Sequence, residues 1–522
     1  MSKSRKKTQV TKSNKSNKSK KIYNSYEIEN ATQTIGRLIQ KSGIFLHAIC
    51  SDSSVCLAFG RKSDEIKAFF NGFTDFKYAV SPIKNIGMPS ENGFVKEIQY
   101  VREYKSKNET KSYQSHAILK SSKKPKADNL VYEYLVGYKF INQYMKIFPC
   151  FIETYGLYFY NNKYIWEIME SAISNKKYIL SYLEQQNAIN YSRACQQSQY
   201  AAILIQHIKH AKTLYDYLMK ERFIENDLLY VLFIIYHALS SLSSQFTHYD
   251  LHNENVLLYE PVKGKYIQYM YHNEDGTVTT FNSPYIPKII DYGHSFFDNG
   301  NVNSNAIYDK ICHTNDCDPN CGEKYGFGWL RKDDERFIVS SQKNESHDLR
   351  LLYLLQLDFK KRERERERER ETETETVNIL NKVVYGVGIT SVEDKIYGTK
   401  ENMNENNEKK IYNVNGAYLR LKNVVEMENI KSENNRNYNI DKNKLGVLHV
   451  YDNKPMVYEK NKKYQEFHDY KEFHDYKESQ DSHESQDSHE SHDYKESQDY
   501  KDSQDYKEDK KEELDFFQSD EK

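Results

Sequence analysis

Two stretches of sequence decide the expected fold: His248-Tyr249-Asp250-Leu251-His252-Asn253-Glu254-Asn255-Val256-Leu257-Leu258 and, downstream, Ile289-Ile290-Asp291-Tyr292-Gly293. Each combines acidic or amide side chains with the apolar residues of a short strand. Phosphoryl transfer needs one carboxylate to orient the attacking hydroxyl and further oxygen ligands to hold magnesium against the nucleotide phosphates. Asp250 fits the first role, and Asn255 and Asp291 fit the second.

The two stretches resemble the H-R-D-L-x-x-x-N loop and the D-F-G motif of eukaryotic-type protein kinases. Either motif alone also occurs by chance in loops, but both in this order favour the kinase interpretation. The resemblance implies an α+β, two-lobed protein-kinase-like fold with a divergent small lobe and a shortened large lobe, and the composition adds disordered termini. The resemblance further implies ATP and Mg²⁺ as cofactors, with Asp250 as a catalytic residue and Asn255 and Asp291 as magnesium ligands.

Upstream, the resemblance extends to a lysine and a glutamate. Ala117-Ile118-Leu119-Lys120 corresponds to the V-A-I-K motif, so Lys120 is expected to contact the nucleotide phosphates. A solvated basic loop is the alternative, because further lysines follow. Glu133 shares an apolar helix face with Leu130 and Phe140, which predicts an ion pair with Lys120. A half-exposed Glu133 without a partner remains the alternative.

The expected nucleotide-binding loop departs most from the family pattern. Ile86-Gly87-Met88-Pro89-Ser90-Glu91-Asn92-Gly93-Phe94-Val95 has one residue too many and lacks the middle glycine. Glycine lets backbone amides approach phosphate oxygens closely. An ordinary hairpin turn accounts for Gly87 and Gly93 almost as well. The predicted nucleotide-binding residues are Gly87, Gly93, Val95, Lys120 and, at the hinge after the fifth strand of the family, Gln206 and Ile208.

The residues expected near the phosphoryl acceptor are compatible with three functions. The resemblance favours a protein kinase that phosphorylates serine or threonine, with a protein substrate as partner. Asp250-Leu251-His252 is also common in the aminoglycoside and choline phosphotransferase branch, and Asp333-Asp334-Glu335 stands where A-P-E is expected. A small-molecule phosphotransferase is therefore the second hypothesis, and the altered glycine loop makes a pseudokinase scaffold the third. Asp348, before an apolar helix, is expected to support the catalytic-loop backbone.

The domain limits follow from composition. We expect a disordered basic arm at 1–39, a small-lobe extension at 40–82, the kinase-like domain at 83–358 and a large-lobe remainder at 377–460. The segment 359–376, in which Arg-Glu and then Glu-Thr alternate from Arg362 to Thr376, is interpreted as a low-complexity surface loop. The hexapeptide repeats within 461–522 cannot bury a core, which predicts a disordered tail.

Composition also suggests a source and a location. The 45 tyrosines, with abundant Asn, Lys and Ile, resemble the divergent protein-kinase-like proteins of giant DNA viruses. No membrane partner is expected, because the apolar helix 228–239 is too short to cross a bilayer. The basic arm leaves nucleic-acid tethering or nuclear targeting as minor alternatives. We expect an intracellular protein, in the host cytoplasm if viral, with nucleus and virion as alternatives.

Seven cysteines without a signal peptide are typical of a reducing compartment. Three of them, Cys312, Cys317 and Cys321, cluster beside His313 and could hold one zinc ion. The cluster lacks a C-x-x-C pair, so unpaired thiols are the default interpretation.

Overall fold

A computed structural model describes residues 62–87, 93–105, 110–123, 129–171, 177–189, 194–208, 210–311, 317, 328–331, 336–365, 375–385, 410–431 and 443–461. These residues form helices and mainly antiparallel sheets, so the fold is of the predicted α+β class. The basic arm at 1–39 and the repeats after residue 461 lie outside the described residues.

The N-terminal half is organised around a six-stranded antiparallel sheet with the strand order β1-β2-β3-β6-β4-β5. Its strands are β1 (Ala79–Asn85), β2 (Gly93–Lys105), β3 (Thr110–Ser122), β4 (Thr154–Tyr160), β5 (Leu183–Gln185) and β6 (Ala201–Gln206).

The two faces of this sheet have different environments because side chains alternate along a strand. One face buries an apolar core that includes Phe73, Phe94, Ile98, Tyr100, Leu119 and Leu204. The other face carries Val95, Lys120 and Ile203, which are register partners on β2, β3 and β6. The side chain of Lys120 therefore points away from the apolar core on the first face.

Helix α2 (Asn129–Leu135) follows β3 and continues through a π-helical turn, Val136–Ile141, into α3 (Asn142–Tyr144). Gly137 in this turn is a packing requirement, because a Cβ there would lie 2.1 Å from Oγ1 of Thr154. The close approach holds the end of α2 against β4. Glu133 is thereby fixed on the side of the sheet that carries Lys120.

A second and larger core surrounds helix α8 (Leu228–Ser241), in which every residue from Leu228 to Leu239 is buried. A helix that is apolar on all sides belongs in a protein interior. Asp227 precedes it, but its side chain makes no capping hydrogen bond. Of the helices in the described part of the chain, none has the length and apolar character that crossing a membrane requires.

The remaining helices lie around the two cores. They are α1 (Lys62–Phe69), α4 (Lys163–Glu170), α5 (Ala194–Gln197), α6 (Leu214–Leu218), α7 (Glu221–Asn226), α9 (Ser304–Ile311), α10 (Arg350–Glu365), α11 (Glu375–Leu380) and α12 (Val414–Lys431). Short 3₁₀ turns occupy Asn71–Phe73, Lys177–Tyr182, Ser198–Tyr200 and His347–Leu349. Because α10 continues to Glu365, the low-complexity segment expected to be a loop from residue 359 starts inside a helix.

Four smaller sheets complete the described fold. β7 (Lys212–Thr213), β9 (Val256–Tyr259) and β12 (Ile286–Ile289) form one, β8 (Phe246–Thr247) and β13 (Phe296–Phe297) a second, and β14 (Gly328–Arg331) and β15 (Arg336–Val339) a third. The hairpin β10 (Tyr266–His272) and β11 (Val278–Ser283) joins β16 (Lys444–Tyr451) and β17 (Val457–Lys460) in the fourth. β10 and β16 pair in parallel, which connects the hairpin after β9 to the C-terminal part of the described chain.

Candidate active site

The loop after β8 is held by a buried carboxylate. Oδ2 of Asp348 accepts the backbone N–H of His248 at 2.7 Å, and Oδ1 accepts that of Tyr249 at 3.0 Å. Tyr249 has a φ of +65°, a conformation that L residues rarely adopt without outside support. Burial raises the pKa of Asp348 to about 7, against the opposing effect of the two N–H donors. Asp348 thus supports this backbone, as the sequence predicts.

His248 connects the same loop to the strand that leads to Asp291. Its Nε2 lies 3.0 Å from the carbonyl oxygen of Ile290, and its Nδ1 lies 3.3 Å from the backbone nitrogen of Asp250. Burial lowers the pKa of His248 to about 4, so the ring is neutral near pH 7. These partners fit a ring that donates through Nε2 and accepts through Nδ1.

Asp250 lies at the tip of this loop with its carboxylate held on two sides. Nη1 of Arg350 lies 3.0 Å from Oδ1, and Nδ2 of Asn255 lies 3.4 Å from Oδ2. Nδ2 of Asn255 also donates to the backbone oxygen of Asp250 at 2.9 Å. The Asp250 side chain is 25% exposed, whereas Arg350 is 10% exposed. Asp250 can therefore meet a ligand while its orientation is restrained.

Asn255 and Asp291 are brought together through the backbone. The N–H of Ile290 donates to the carbonyl oxygen of Asn255 at 3.0 Å, which places the next residue, Asp291, beside Asn255. Because Asn255 uses its amide nitrogen toward Asp250, its amide oxygen remains an acceptor. A carboxylate and an amide oxygen are the donors that magnesium prefers. The two side chains therefore fit a magnesium ion that takes its other ligands from phosphate and water.

Lys120 lies between two carboxylates. Its Nζ is 2.7 Å from Oε2 of Glu133 and 2.9 Å from Oδ1 of Asp291. The Glu133 side chain is 6% exposed and that of Asp291 is 42% exposed. Although burial favours the neutral amine, the carboxylates raise the pKa of Lys120. The Lys120–Glu133 ion pair expected from the sequence is present.

The two carboxylates respond differently to the shared ammonium. Burial raises the pKa of Glu133 to about 7, with Lys120 acting in the opposite direction. Burial would also raise the pKa of Asp291, but Lys120 lowers it to about 2. Asp291 is therefore the carboxylate that stays ionised throughout the neutral range.

The predicted nucleotide-binding residues are brought to this face only in part. Val95 is the register partner of Lys120 on β2. Gly93 begins β2, where a Cβ would lie 2.2 Å from the backbone oxygen of Ser121, and Gly87 has a φ of +66°. The residues between them, 88–92, lie outside the described residues.

The two predicted hinge residues, Gln206 and Ile208, support a nucleotide-binding role less than Val95 and Lys120 do. The backbone N–H of Gln206 donates to the carbonyl oxygen of Glu153 at 2.8 Å, so it is not free to bind a base. The side-chain oxygen of Gln206 lies 3.3 Å from the nitrogen of Glu153. Ile208, two residues after Gln206, is buried.

No protein-family model matches this chain, and no curated protein sequence matches it significantly.

Sequence reasoning missed Arg350 as a site residue. It lies two positions after Asp348, at the start of α10, with the buried residues Leu351 and Leu352 after it. An arginine in an otherwise apolar turn is the local signal, since a buried guanidinium needs an anionic partner. That partner, Asp250, lies 100 positions away, and the short-range pattern gives no indication of it.

The cysteine cluster is only partly described. Cys317 forms a disulfide with Cys195, with a Cα–Cα distance of 5.1 Å. This bond corrects the expectation that Cys317 is an unpaired thiol, and a disulfide sulfur offers no thiolate to zinc. Cys312 and Cys321 lie outside the described residues. Among those described, no three His, Cys, Asp or Glu side chains converge as a metal site, so zinc stays a prediction for the reduced protein.

Proposed function

We propose that this chain is an ATP-dependent protein kinase that transfers the γ-phosphate to serine or threonine hydroxyls. The observation that carries the proposal is the convergence of residues that are far apart in sequence. Lys120 of β3 contacts both Glu133 of α2 and Asp291, while Asp250 and Asn255 are tied to the strand before Asp291 through His248 and Ile290. The resemblance of the motifs to those of eukaryotic-type protein kinases points to the same activity.

In this proposal Asp250 orients the acceptor hydroxyl and accepts its proton. The acceptor oxygen forms a bond to the γ-phosphorus, and the bond from phosphorus to the β,γ-bridging oxygen breaks. Its electron pair leaves with ADP. Lys120 binds the α- and β-phosphates and is itself positioned by Glu133. A magnesium ion held by Asn255 and Asp291 would neutralise charge on the phosphates.

A small hydroxylated or amino compound is the alternative acceptor. The specific observation in its favour is Asp250-Leu251-His252, with His252 in place of the lysine found in protein kinases. Nε2 of His252 lies 3.9 Å from Oδ2 of Asp250, so a neutral or weakly charged side chain borders the acceptor position. Burial lowers the pKa of His252, which favours the uncharged ring.

The test offers both acceptor classes at once. Purified protein is incubated with γ-labelled ATP, magnesium, a mixed protein pool and a pool of small hydroxylated and amino compounds. Label on protein serine or threonine is the expected result, and label on small compounds alone would favour the alternative. Asp250→Asn and a magnesium chelator are the controls. Nucleotide binding without transfer to either pool would contradict both and indicate a pseudokinase.

A further inference from the structure

A buried arginine contacts the candidate catalytic aspartate from outside the motifs. Arg350 begins α10, directly after the 3₁₀ turn His347–Leu349 that carries Asp348. Its guanidinium lies 3.0 Å from Oδ1 of Asp250. Two residues of this short segment therefore act on the same loop. Asp348 holds the backbone before Asp250, and Arg350 holds the Asp250 side chain.

Burial makes this contact more than a surface ion pair. A guanidinium stays charged in proteins, and removing it from water is costly unless an anion and hydrogen bonds compensate. Within the described residues, Asp250 is the group to which the Arg350 side chain donates. Leu351, Leu352 and Leu355 on the same helix are buried in the large core and fix the backbone of Arg350. The arginine therefore presents its charge from a rigid element to one carboxylate oxygen.

The two oxygens of Asp250 are consequently not equivalent. Oδ1 is occupied by Arg350, whereas Oδ2 has the longer 3.4 Å contact to Nδ2 of Asn255 and a 3.9 Å approach of His252. A carboxylate fixed at Oδ1 cannot rotate freely about its last bond. The weakly held Oδ2 is the oxygen left for a hydroxyl donor.

We infer that Arg350 is a positioning residue that orients Asp250 so that the acceptor hydroxyl meets Oδ2. This inference rests on the proposed phosphoryl transfer and adds a residue to it. The acceptor O–H proton goes to Oδ2 as the acceptor oxygen bonds to the γ-phosphorus, and ADP leaves with the electron pair of the broken bond. Arg350 contacts neither nucleotide nor acceptor and acts through Asp250.

The test compares kinetic parameters across four variants. Arg350→Met is expected to lower kcat by roughly 10- to 100-fold, the scale of loss from a small misplacement of a reacting group. The KM and Kd for ATP should change by less than about threefold, since orientation of Asp250 is not a phosphate contact. Arg350→Lys should restore part of kcat, because it returns a charge without the planar fork.

Arg362→Met is the matched control. Arg362 lies on the same helix, and its Nη1 donates to the backbone oxygen of Leu218 at 2.6 Å, away from Asp250. The kcat of the Arg362→Met variant should equal that of the unaltered protein. Asp250→Asn tests the proposed function separately, because its full activity would refute the role of Asp250 itself.

Two outcomes overturn the inference. One is an unchanged kcat in Arg350→Met while Asp250→Asn abolishes transfer. The other is a parallel loss of kcat and ATP binding in Arg350→Met with no recovery in Arg350→Lys, which would indicate a structural role. Absence of transfer by the unaltered protein would contradict the proposed function and this inference together.

Discussion

Nζ of Lys120 lies 2.9 Å from Oδ1 of Asp291, although the two residues are 171 positions apart. Lys120 belongs to the six-stranded sheet, and Asp291 follows β12 of the three-stranded sheet. Glu133 approaches the same ammonium at 2.7 Å. The ammonium of Lys120 therefore links the six-stranded sheet to α2 and to the residue that follows β12. These are the elements that a nucleotide with magnesium would have to reach.

The first prediction concerns Lys120→Met. Loss of a charged hydrogen-bond donor to phosphate is worth about 1.5–3 kcal/mol, so the ATP affinity should fall by roughly 10- to 100-fold. Calorimetric titration with ATP and magnesium measures this. Lys123→Met is the control, because Lys123 has an equally short ion pair, 2.7 Å to Glu170, on the same part of the chain. Equal losses in both variants would contradict the role of Lys120.

The second prediction concerns the pH dependence of stability at Glu133. Its folded pKa of about 7 is above its ordinary value of 4.5, so the folded state binds more protons in that window. The contribution of Glu133 to the free energy of unfolding therefore falls as the pH rises from 4.5 through 7. Glu133→Gln cannot ionise, so its melting temperature relative to the unaltered protein should increase between pH 5 and pH 8. A difference that is constant, or that decreases, would contradict this.

The third prediction concerns Asp348→Asn. The substituted amide keeps one acceptor oxygen but directs an N–H₂ group toward one of the two backbone N–H donors. An unsatisfied buried group costs about 1–3 kcal/mol, and the free energy of unfolding should fall by that amount. Denaturant titration measures it, with Asp358→Asn on the following helix α10 as a half-buried control. Equal stability of the two variants would show that Asp348 is not needed to hold the loop.

The fourth prediction concerns the Cys195–Cys317 bond. Digestion of the unreduced protein should yield the two cysteine-containing peptides as one cross-linked species. Reduction should lower the free energy of unfolding by about 2–4 kcal/mol, because the bond closes a segment of 122 positions in the unfolded chain. Cys195→Ala should abolish the effect of reductant. Alkylation of both cysteines without reductant would contradict the disulfide, and elemental analysis for zinc would then test the three-cysteine prediction.

The spacing within the two motifs is sufficient to predict the positions of Asp250, Asn255 and Asp291 along the chain, because Asn255 directly precedes β9 and Asp291 closely follows β12. The ion pair of Lys120 with Glu133 is also predictable, since one strand and the next helix supply both residues. Arg350 is not, because its contact with Asp250 depends on how α10 packs against a loop 100 positions earlier.

Contacts between segments that are far apart in sequence limit how much of the remaining fold can be predicted. The parallel pairing of β10 with β16 joins segments whose separate sequences indicate only short strands. For the described residues 410–431 and 443–460, the sequence predicts folded chain. It does not predict a helix packed on α8 and two strands of a shared sheet. Cys195 and Cys317 likewise share no spacing pattern, and only the packing of α5 near the end of α9 brings them together.

The most direct test of the central claim compares phosphoryl transfer by the unaltered protein and by Asp250→Asn, with ATP binding measured on the same preparations. Loss of the carboxylate that orients the acceptor should reduce transfer of labelled γ-phosphate to protein serine or threonine by on the order of 10²- to 10⁴-fold. The Kd for ATP with magnesium should change by less than about threefold, because Asp250 is not a phosphate contact in this account. Transfer by Asp250→Asn at a rate comparable to that of the unaltered protein would contradict the assignment of Asp250 and the phosphotransfer site built around it.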